Sequence, residues 1–258
     1  MSKRPTIAEV KQRLLEETSI DNKWLEDLYH DERKGVQVAL KQYEKRQQEQ
    51  ARIHQHILQL RQKEKILHQE GYQLIAGVDE VGRGPLAGPV VAGAVILPAD
   101  MPEAYFNDSK QLSHAKRQSL VADIEKYAIS YAVAGQSAQI IDQVNILEAT
   151  KQAMTLALKR LTSTPDYVLI DAVHLDSISH LPQESIIKGD ATVYSIAAAS
   201  IYAKEKRDEL MAQYAEQYPG YGFEHNAGYG TKEHLEGLKK YGPCPIHRCS
   251  FAPVKAYL

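Results

Sequence analysis

Apolar residues in the first 72 positions recur at helical spacing within a very polar background. Leucine, isoleucine and valine return every three or four positions among Gln, Glu and Lys. Asp21 stands where a helix past Trp24 and Leu28 needs an N-cap, and residues 36–70 predict one long polar helix. Residues 1–72 therefore predict a helical N-terminal extension. It is either a solvated arm, which is the simpler interpretation, or a domain that binds substrate or a partner.

From residue 73 onward the apolar residues form short runs that predict strands, and helical patterns lie between them. The predicted strands cover residues 73–79, 89–97, 129–136, 167–171 and 185–188. The predicted helices cover residues 114–127, 146–162, 192–217 and 231–241, with Asn145 and Thr231 as caps for the second and last. Residues 73–258 thus predict an α/β domain, a mixed five-stranded sheet flanked by helices.

Composition and charge narrow the class of protein. The 258 residues are 43% hydrophobic and 25% charged, with a net charge of −2 at pH 7, which is typical of a water-soluble domain. The overall charge does not indicate a nucleic-acid binder, so such a function must rest on local residues. Two cysteines, no signal peptide and no apolar run that could cross a bilayer predict a reduced, cytoplasmic protein without membrane contact.

The cysteines, Cys244 and Cys249, flank His247 in a short segment. Three ligands on one turn are fewer than a structural zinc site needs, so we do not predict zinc there.

Two adjacent acids, Asp79 and Glu80, follow a buried apolar strand and precede Gly82, Arg83 and Gly84. Neighbouring residues of a strand face opposite sides of a sheet, so the two acids serve one site only if the strand ends or bulges there. The glycines supply the backbone freedom for such a bend. The alternative is a polar strand end followed by a Gly-Pro turn.

Two further acids occupy comparable positions. Asp171 ends the apolar run at residues 167–171, and Asp190 precedes a long helix that it could also simply cap. Parallel neighbouring strands would bring such acids to one edge of the sheet. Carboxylate-only ligation suits Mg²⁺ or Mn²⁺, and acid clusters of this kind hold two ions about 3.5–4 Å apart for in-line attack on phosphate. Asp79, Glu80 and these two acids therefore predict a two-metal phosphoryl-transfer site.

Two residues suit nucleic-acid contacts. The Arg83 guanidinium, between two glycines, matches phosphate geometry. Tyr229, also between two glycines, is either a half-buried surface residue or a platform on which a sugar or base stacks.

Residues 73–258 resemble ribonuclease HII, the bacterial type 2 ribonuclease H. The shared motifs are GVDEVGRGPLAGPVV from residue 77, DSKQLS from 108, NILEAT from 145, KGD from 188, SIAAASIYAK from 195, GYGT from 228 and HRCSF from 247. The resemblance implies a ribonuclease H-like fold. It also implies an endonuclease that hydrolyses the RNA strand of RNA–DNA hybrids and cuts 5′ of single ribonucleotides in duplex DNA.

The resemblance also implies residue roles. Asp79, Glu80, Asp171 and Asp190 match the metal-binding catalytic acids. The substrate-binding residues that it implies are Gly82, Arg83 and Gly84, which read the ribonucleotide 2′-hydroxyl, Tyr229, which stacks on the next sugar, and Lys110 and Lys188, which contact or position phosphate. The implied cofactor is Mn²⁺ or Mg²⁺, and the implied products carry 5′-phosphate and 3′-hydroxyl ends. Ribonucleotide removal and RNA primer degradation are the implied roles, for a monomer with a replication or repair partner reached through residues 1–72.

Three rivals remain at this point. Type 3 relatives carry Gly-Lys-Gly in place of Gly82–Gly84 and an acid at the position of Leu175, and their N-terminal domain is mixed α/β; these differences favour type 2. A protein that binds hybrids or a partner without cutting them would use residues 1–72. A third possibility is a nuclease of the same fold that acts on DNA junctions and ignores the 2′-hydroxyl.

Overall fold

The computed structural model describes residues 4–16, 20–106 and 112–258. The predicted substrate residue Lys110 lies outside these ranges. The chain divides into two compact units, Met1–His56 and Ile57–Leu258.

The first unit is helical. Its helices are α1 (Ile7–Glu16), α2 (Asn22–Tyr29) and the beginning of α3 (Lys34–Leu60). Val10, Leu14 and Leu28 belong to its small apolar core. The Asp21 carboxylate accepts from the Lys23 N–H at 2.7 Å, which confirms the predicted N-cap of α2.

The long helix predicted over residues 36–70 is interrupted. Helix α3 ends at Leu60 and α4 covers Gln62–Gln69, with Arg61 between them at φ −77° and ψ −5°. The Arg61 guanidinium donates to the carbonyl oxygen of Met101 at 2.7 Å. This break depends on tertiary contacts, and the apolar spacing of the sequence does not encode it.

The second unit contains the predicted mixed five-stranded sheet, whose strand order is β3-β2-β1-β4-β5. The strands are β1 (Ile75–Val81), β2 (Val90–Ile96), β3 (Ser130–Gln136), β4 (Tyr167–Asp171) and β5 (Gln183–Ile186). The β1–β2 and β2–β3 pairs are antiparallel, whereas β1–β4 and β4–β5 are parallel. The carboxyl ends of β1 and β4 therefore lie at the same edge of the sheet.

Eight further helices complete this unit as the structure describes it. They are α5 (His114–Tyr127), α6 (Ala138–Val144), α7 (Ile146–Lys159), α8 (Gly189–Thr192), α9 (Tyr194–Gln217), α10 (Phe223–Asn226), α11 (Lys232–Tyr241) and α12 (Ala252–Lys255). The Asn145 side chain accepts from the N–H groups of Leu147 and Glu148, and Thr231 accepts from that of His234, so both predicted caps are confirmed. The four shortest helices, α6, α8, α10 and α12, were not predicted because one or two turns show no clear apolar period.

Two helices cover opposite faces of β1. Val78 belongs to the same core as Ala153 and Met154 of α7. On the other face, a Cβ added to Gly77 would lie 2.1 Å from the carbonyl carbon of Ser195 in α9. The backbones of β1 and α9 are therefore in direct contact, which the small residues of α9 allow. Among the residues that the structure describes, none of the helices has both the length and the apolar character of a membrane span.

Candidate active site

Strand β1 carries Asp79 and Glu80 without ending or bulging. Its pairing with β2 is unbroken, with Asp79 opposite Gly93 and Glu80 opposite Ala92. The expectation that the strand must bend was therefore wrong. Pairing with β4, in contrast, ends at Val78, so the β4-facing edge of β1 is open from Asp79 onward. Two side chains that start on opposite faces can meet around this open edge.

Asp171, the last residue of β4, joins the two acids of β1. One carboxylate oxygen of each of Asp79, Glu80 and Asp171 lies within 4.8 Å of the other two. Asp79 is 4% exposed and accepts a hydrogen bond from the Ser200 hydroxyl of α9. Asp171 accepts from the N–H of Gly189 at 2.6 Å. The sheet edge thus concentrates three carboxylates in a partly buried cluster.

The electrostatics of this carboxylate cluster oppose ionisation. Burial raises the pKa of Asp79 well above its usual range, and the neighbouring Glu80 charge raises it further. Burial also raises the pKa of Glu80. The guanidinium of Arg83, whose Nη1 lies 3.5 Å from the Glu80 Oε1, offsets part of this increase. For Asp171, burial is again the largest cause of a raised pKa. Such a cluster is stabilised by a cation that replaces the lost solvation.

The donor atoms of this cluster fit a hard divalent cation. All three residues offer carboxylate oxygen, which Mg²⁺ and Mn²⁺ prefer. The Glu80 Oε2 is buried and has no hydrogen-bond partner among the described residues. A buried acceptor without a donor is costly, and a metal ion would satisfy it.

Asp190 lies near the carboxylate cluster without belonging to it. Its charge contributes to the raised pKa of Asp171, but its oxygens are not among those within 4.8 Å of one another. The alternative that Asp190 caps the long helix was wrong, because Asp190 lies inside the separate helix α8 and Val193 precedes α9. Lys188 precedes α8. Its side chain is exposed, and its backbone adopts the left-handed conformation at φ 58°.

The loop after β1 brings the predicted nucleic-acid residues beside the cluster. Gly82 is buried at φ +91°, a conformation that other residues rarely adopt, whereas Arg83 and Gly84 are exposed. A Cβ on Gly84 would lie 3.6 Å from the ring of Tyr229, which is 43% exposed. The exposed surface next to the carboxylates thus comprises Arg83, Gly84 and Tyr229.

Comparison with known proteins identifies the family. The family model for ribonuclease HII matches residues 76–254, and the model for the ribonuclease HII N-terminal domain matches residues 6–68. The chain belongs to the ribonuclease HII family. The ribonuclease HII of Enterococcus faecalis is 52% identical over 252 residues, which cover 98% of each chain. The resemblance to this family is thereby confirmed, and the protein is an enzyme, a hydrolase of the ribonuclease H class.

Solved structures agree with this assignment to the ribonuclease HII family. The ribonuclease H2 of Pyrococcus horikoshii superposes with a TM-score of 0.58 at 26% identity, over 71% of this chain and 96% of its own. The ribonuclease HII of Archaeoglobus fulgidus, solved in complex with PCNA, gives 0.58 at 25% identity, over 69% and 95%. The predicted ribonuclease H-like fold with an N-terminal helical extension is confirmed.

Sequence patterns did not reveal a pair of histidines behind the Tyr229 loop of this ribonuclease HII. The Nε2 atoms of His234 and His247 lie 2.9 Å apart, and His234 Nδ1 lies 2.9 Å from the carbonyl oxygen of Tyr229. Burial lowers the pKa of His234, and it lowers the pKa of His247 to about 4. His247 Nδ1 also lies 3.1 Å from the sulfur of Cys244. His247 thus contributes to the support of the loop.

The sequence analysis also missed Arg207 and Arg248. Both side chains are completely buried and donate to backbone carbonyl oxygens of the loops around the site. Arg248 lies in the shared motif HRCSF, but the motif does not reveal its role, because the partners of both arginines are main-chain atoms far away in the chain.

Proposed function

We propose that this ribonuclease HII is a divalent-metal endonuclease. It hydrolyses the RNA strand of RNA–DNA hybrids and cuts 5′ of single ribonucleotides in duplex DNA. The observation that carries the proposal is the cluster of Asp79, Glu80 and Asp171 beside the Gly82–Gly84 loop and Tyr229. Metal-binding carboxylates supply the chemistry, and the neighbouring loop and ring supply the recognition of a sugar.

In this proposal Asp79, Glu80 and Asp171 hold the metal, with Asp190 contributing from α8. Two bound Mg²⁺ or Mn²⁺ ions would supply charge stabilisation for an in-line displacement at phosphorus. Water forms the new bond to phosphorus, the bond from phosphorus to the preceding 3′-oxygen breaks, and that oxygen gains a proton. The products therefore carry 5′-phosphate and 3′-hydroxyl ends.

The remaining predicted residues bind the substrate. The Arg83 side chain is 41% exposed and can pair with a phosphate while it faces Glu80. The exposed ring of Tyr229 can stack on the sugar that follows the ribonucleotide. Lys188 is exposed beside Asp190 and suits a phosphate contact. We keep the same role for Lys110 on the basis of its motif alone.

The domain division and the partners also belong to this proposal. We assign residues 1–72 to a helical extension and residues 73–258 to the catalytic domain, a division that the two family matches, 6–68 and 76–254, support. The substrate partners are RNA–DNA hybrids and DNA that contains ribonucleotides, and we propose a monomer. The complex of the Archaeoglobus fulgidus enzyme with PCNA is a precedent for a replication or repair partner. Here we propose residues 1–72 as the contact.

Analysis of the reaction products tests this chemistry. A labelled RNA strand paired with DNA is incubated with the protein and Mg²⁺ or Mn²⁺, and the masses of the fragments are measured by mass spectrometry. We expect internal cuts whose masses show a 5′-phosphate and a 3′-hydroxyl. The same RNA without its DNA complement, and the hybrid with chelator, should remain intact. Fragments with cyclic phosphates, or cutting in chelator, would contradict the proposal, because the 2′-hydroxyl would then be the nucleophile.

A further inference from the structure

Arg248 holds the loop that follows β1 from behind. Its side chain is completely buried. Its guanidinium donates to the carbonyl oxygens of Gly82 at 2.5 Å, Arg83 at 2.9 Å and Gly88 at 3.0 Å. Three carbonyl groups of one loop therefore converge on one planar cation.

A second buried arginine lies next to it. Arg207 of α9 donates to the carbonyl oxygens of Ala87, Pro89 and Ala227. These acceptors lie on the later part of the loop and on the segment before Tyr229, and the Gly82 and Arg83 carbonyls are not among them. Arg207 and Arg248 are thus similar in burial and in partner type, but they hold different peptide groups.

Neither buried arginine forms a direct ion pair with a carboxylate among the described residues, although the charges of Asp208 and Asp142 act on Arg207 and Arg248 from a longer distance. Burial lowers the pKa of both, and for Arg248 the nearby Arg207 charge lowers it further, to about 9. A buried cation without a direct ion-pair partner is costly. What an arginine offers in return is a rigid fork of donors that fixes several acceptors in one geometry.

The orientation of the Gly82 and Arg83 carbonyls determines which groups the loop presents on its opposite side. In a planar trans peptide the C=O of one residue and the N–H of the next point in opposite directions. Since the carbonyls of Gly82 and Arg83 point at Arg248, the N–H groups of Arg83 and Gly84 point away from it. Both residues are exposed, and neither N–H has a hydrogen-bond partner in the described part of the chain.

We propose that Arg248 is a positioning residue that determines specificity for ribonucleotides. It turns two carbonyls inward and thereby presents the N–H groups of Arg83 and Gly84 to the 2′-oxygen of the substrate. This inference rests on the proposed function, because it names what creates the 2′-hydroxyl preference. The position of the loop beside the carboxylate cluster supports the proposal. The Arg83 Nη1 lies 3.5 Å from the Glu80 Oε1, and Gly84 lies beside the ring of Tyr229.

The test is a cycle that combines one protein change with one substrate change. In an Asp79→Asn parent, which keeps the duplex intact, the Kd is measured for a DNA duplex with one ribonucleotide and for the all-DNA duplex. We expect the Asp79→Asn parent to bind the duplex with one ribonucleotide more tightly than the all-DNA duplex. Arg248→Lys keeps the charge but loses the fork, and should reduce this preference about fivefold, as for one lost hydrogen bond. Its Kd for all-DNA should stay within about twofold.

Arg207→Lys is the matched control, because it removes an equally buried fork that holds other carbonyls. It should leave the ratio of the two Kd values unchanged. The inference is wrong if Arg248→Lys keeps the preference, if Arg207→Lys loses it equally, or if the parent has none. Failure of the proposed function appears separately, as wild-type protein that does not cut the ribonucleotide duplex.

A measurement without any change at Arg248 keeps the inference testable if Arg248→Lys does not fold. Amide hydrogen exchange of the Asp79→Asn parent is followed by NMR at Arg83 and Gly84. Both amides should exchange fast in the free protein, and the ribonucleotide duplex should slow them about tenfold more than the all-DNA duplex does. Slow exchange in the free protein would show that these N–H groups point inward and would overturn the inference.

Discussion

Asp79→Asn should reduce the metal-dependent cleavage rate by about 10³-fold or more. Asp79 is the most buried of the three clustered carboxylates, and the amide removes the negative charge that holds the metal. The variant should nevertheless fold, and in chelator its free energy of unfolding should exceed that of the wild type. The reason is that a buried charge beside Glu80 is lost, while the Ser200 hydroxyl can still donate to the amide oxygen.

Cleavage rates of an RNA–DNA hybrid and urea unfolding measure the two effects of Asp79→Asn. Asp176→Asn is the matched control, since it removes one carboxylate that is 83% exposed and outside the cluster. It should keep the wild-type rate and stability. Full activity of Asp79→Asn would show that the active site has been assigned to the wrong residues.

Gly77→Ala should reduce the free energy of unfolding by about 3 kcal/mol or more. The new Cβ would lie 2.1 Å from the carbonyl carbon of Ser195 and 2.4 Å from the N of Ile196. These are backbone atoms, so no side-chain rotation relieves the clash and α9 must move away from β1. That movement also separates Ser200 from Asp79, so we expect the cleavage rate to fall with stability.

Urea unfolding followed by circular dichroism measures the loss of stability in Gly77→Ala. Gly84→Ala serves as the control, because its Cβ would make only an ordinary contact, 3.6 Å from the ring of Tyr229. Its free energy of unfolding should stay within about 0.5 kcal/mol of wild type. If the two variants were equally stable, the close contact between β1 and α9 would not exist in solution.

The carboxylates at the strand ends could be predicted from the sequence, because each follows a clear apolar run. The apolar run before Asp79 and the one that ends in Asp171 predicted two strands, and parallel pairing placed their ends together. The continuation of β1 past Asp79 could not be predicted. The strand continues past Asp79 because β2 is long enough to pair with it, and its other edge is open because β4 is short.

Support for the substrate loop could not be predicted from sequence. Arg248 contacts the carbonyl of Gly82 across 166 positions, and Arg207 contacts that of Pro89 across 118. Main-chain carbonyls are present in every residue, so no side-chain pattern marks these partners. The burial of the two arginines and their bonds to carbonyl groups became visible only in the folded chain.

The most direct measurement is cleavage of a DNA duplex that carries one ribonucleotide. It is incubated with Mg²⁺ or Mn²⁺, with chelator, and beside an all-DNA duplex of the same sequence. We predict one metal-dependent cut, at the phosphodiester on the 5′ side of the ribonucleotide, and an intact all-DNA control. Cutting of the all-DNA duplex, or an intact ribonucleotide duplex under conditions where long hybrids are cut, would contradict it.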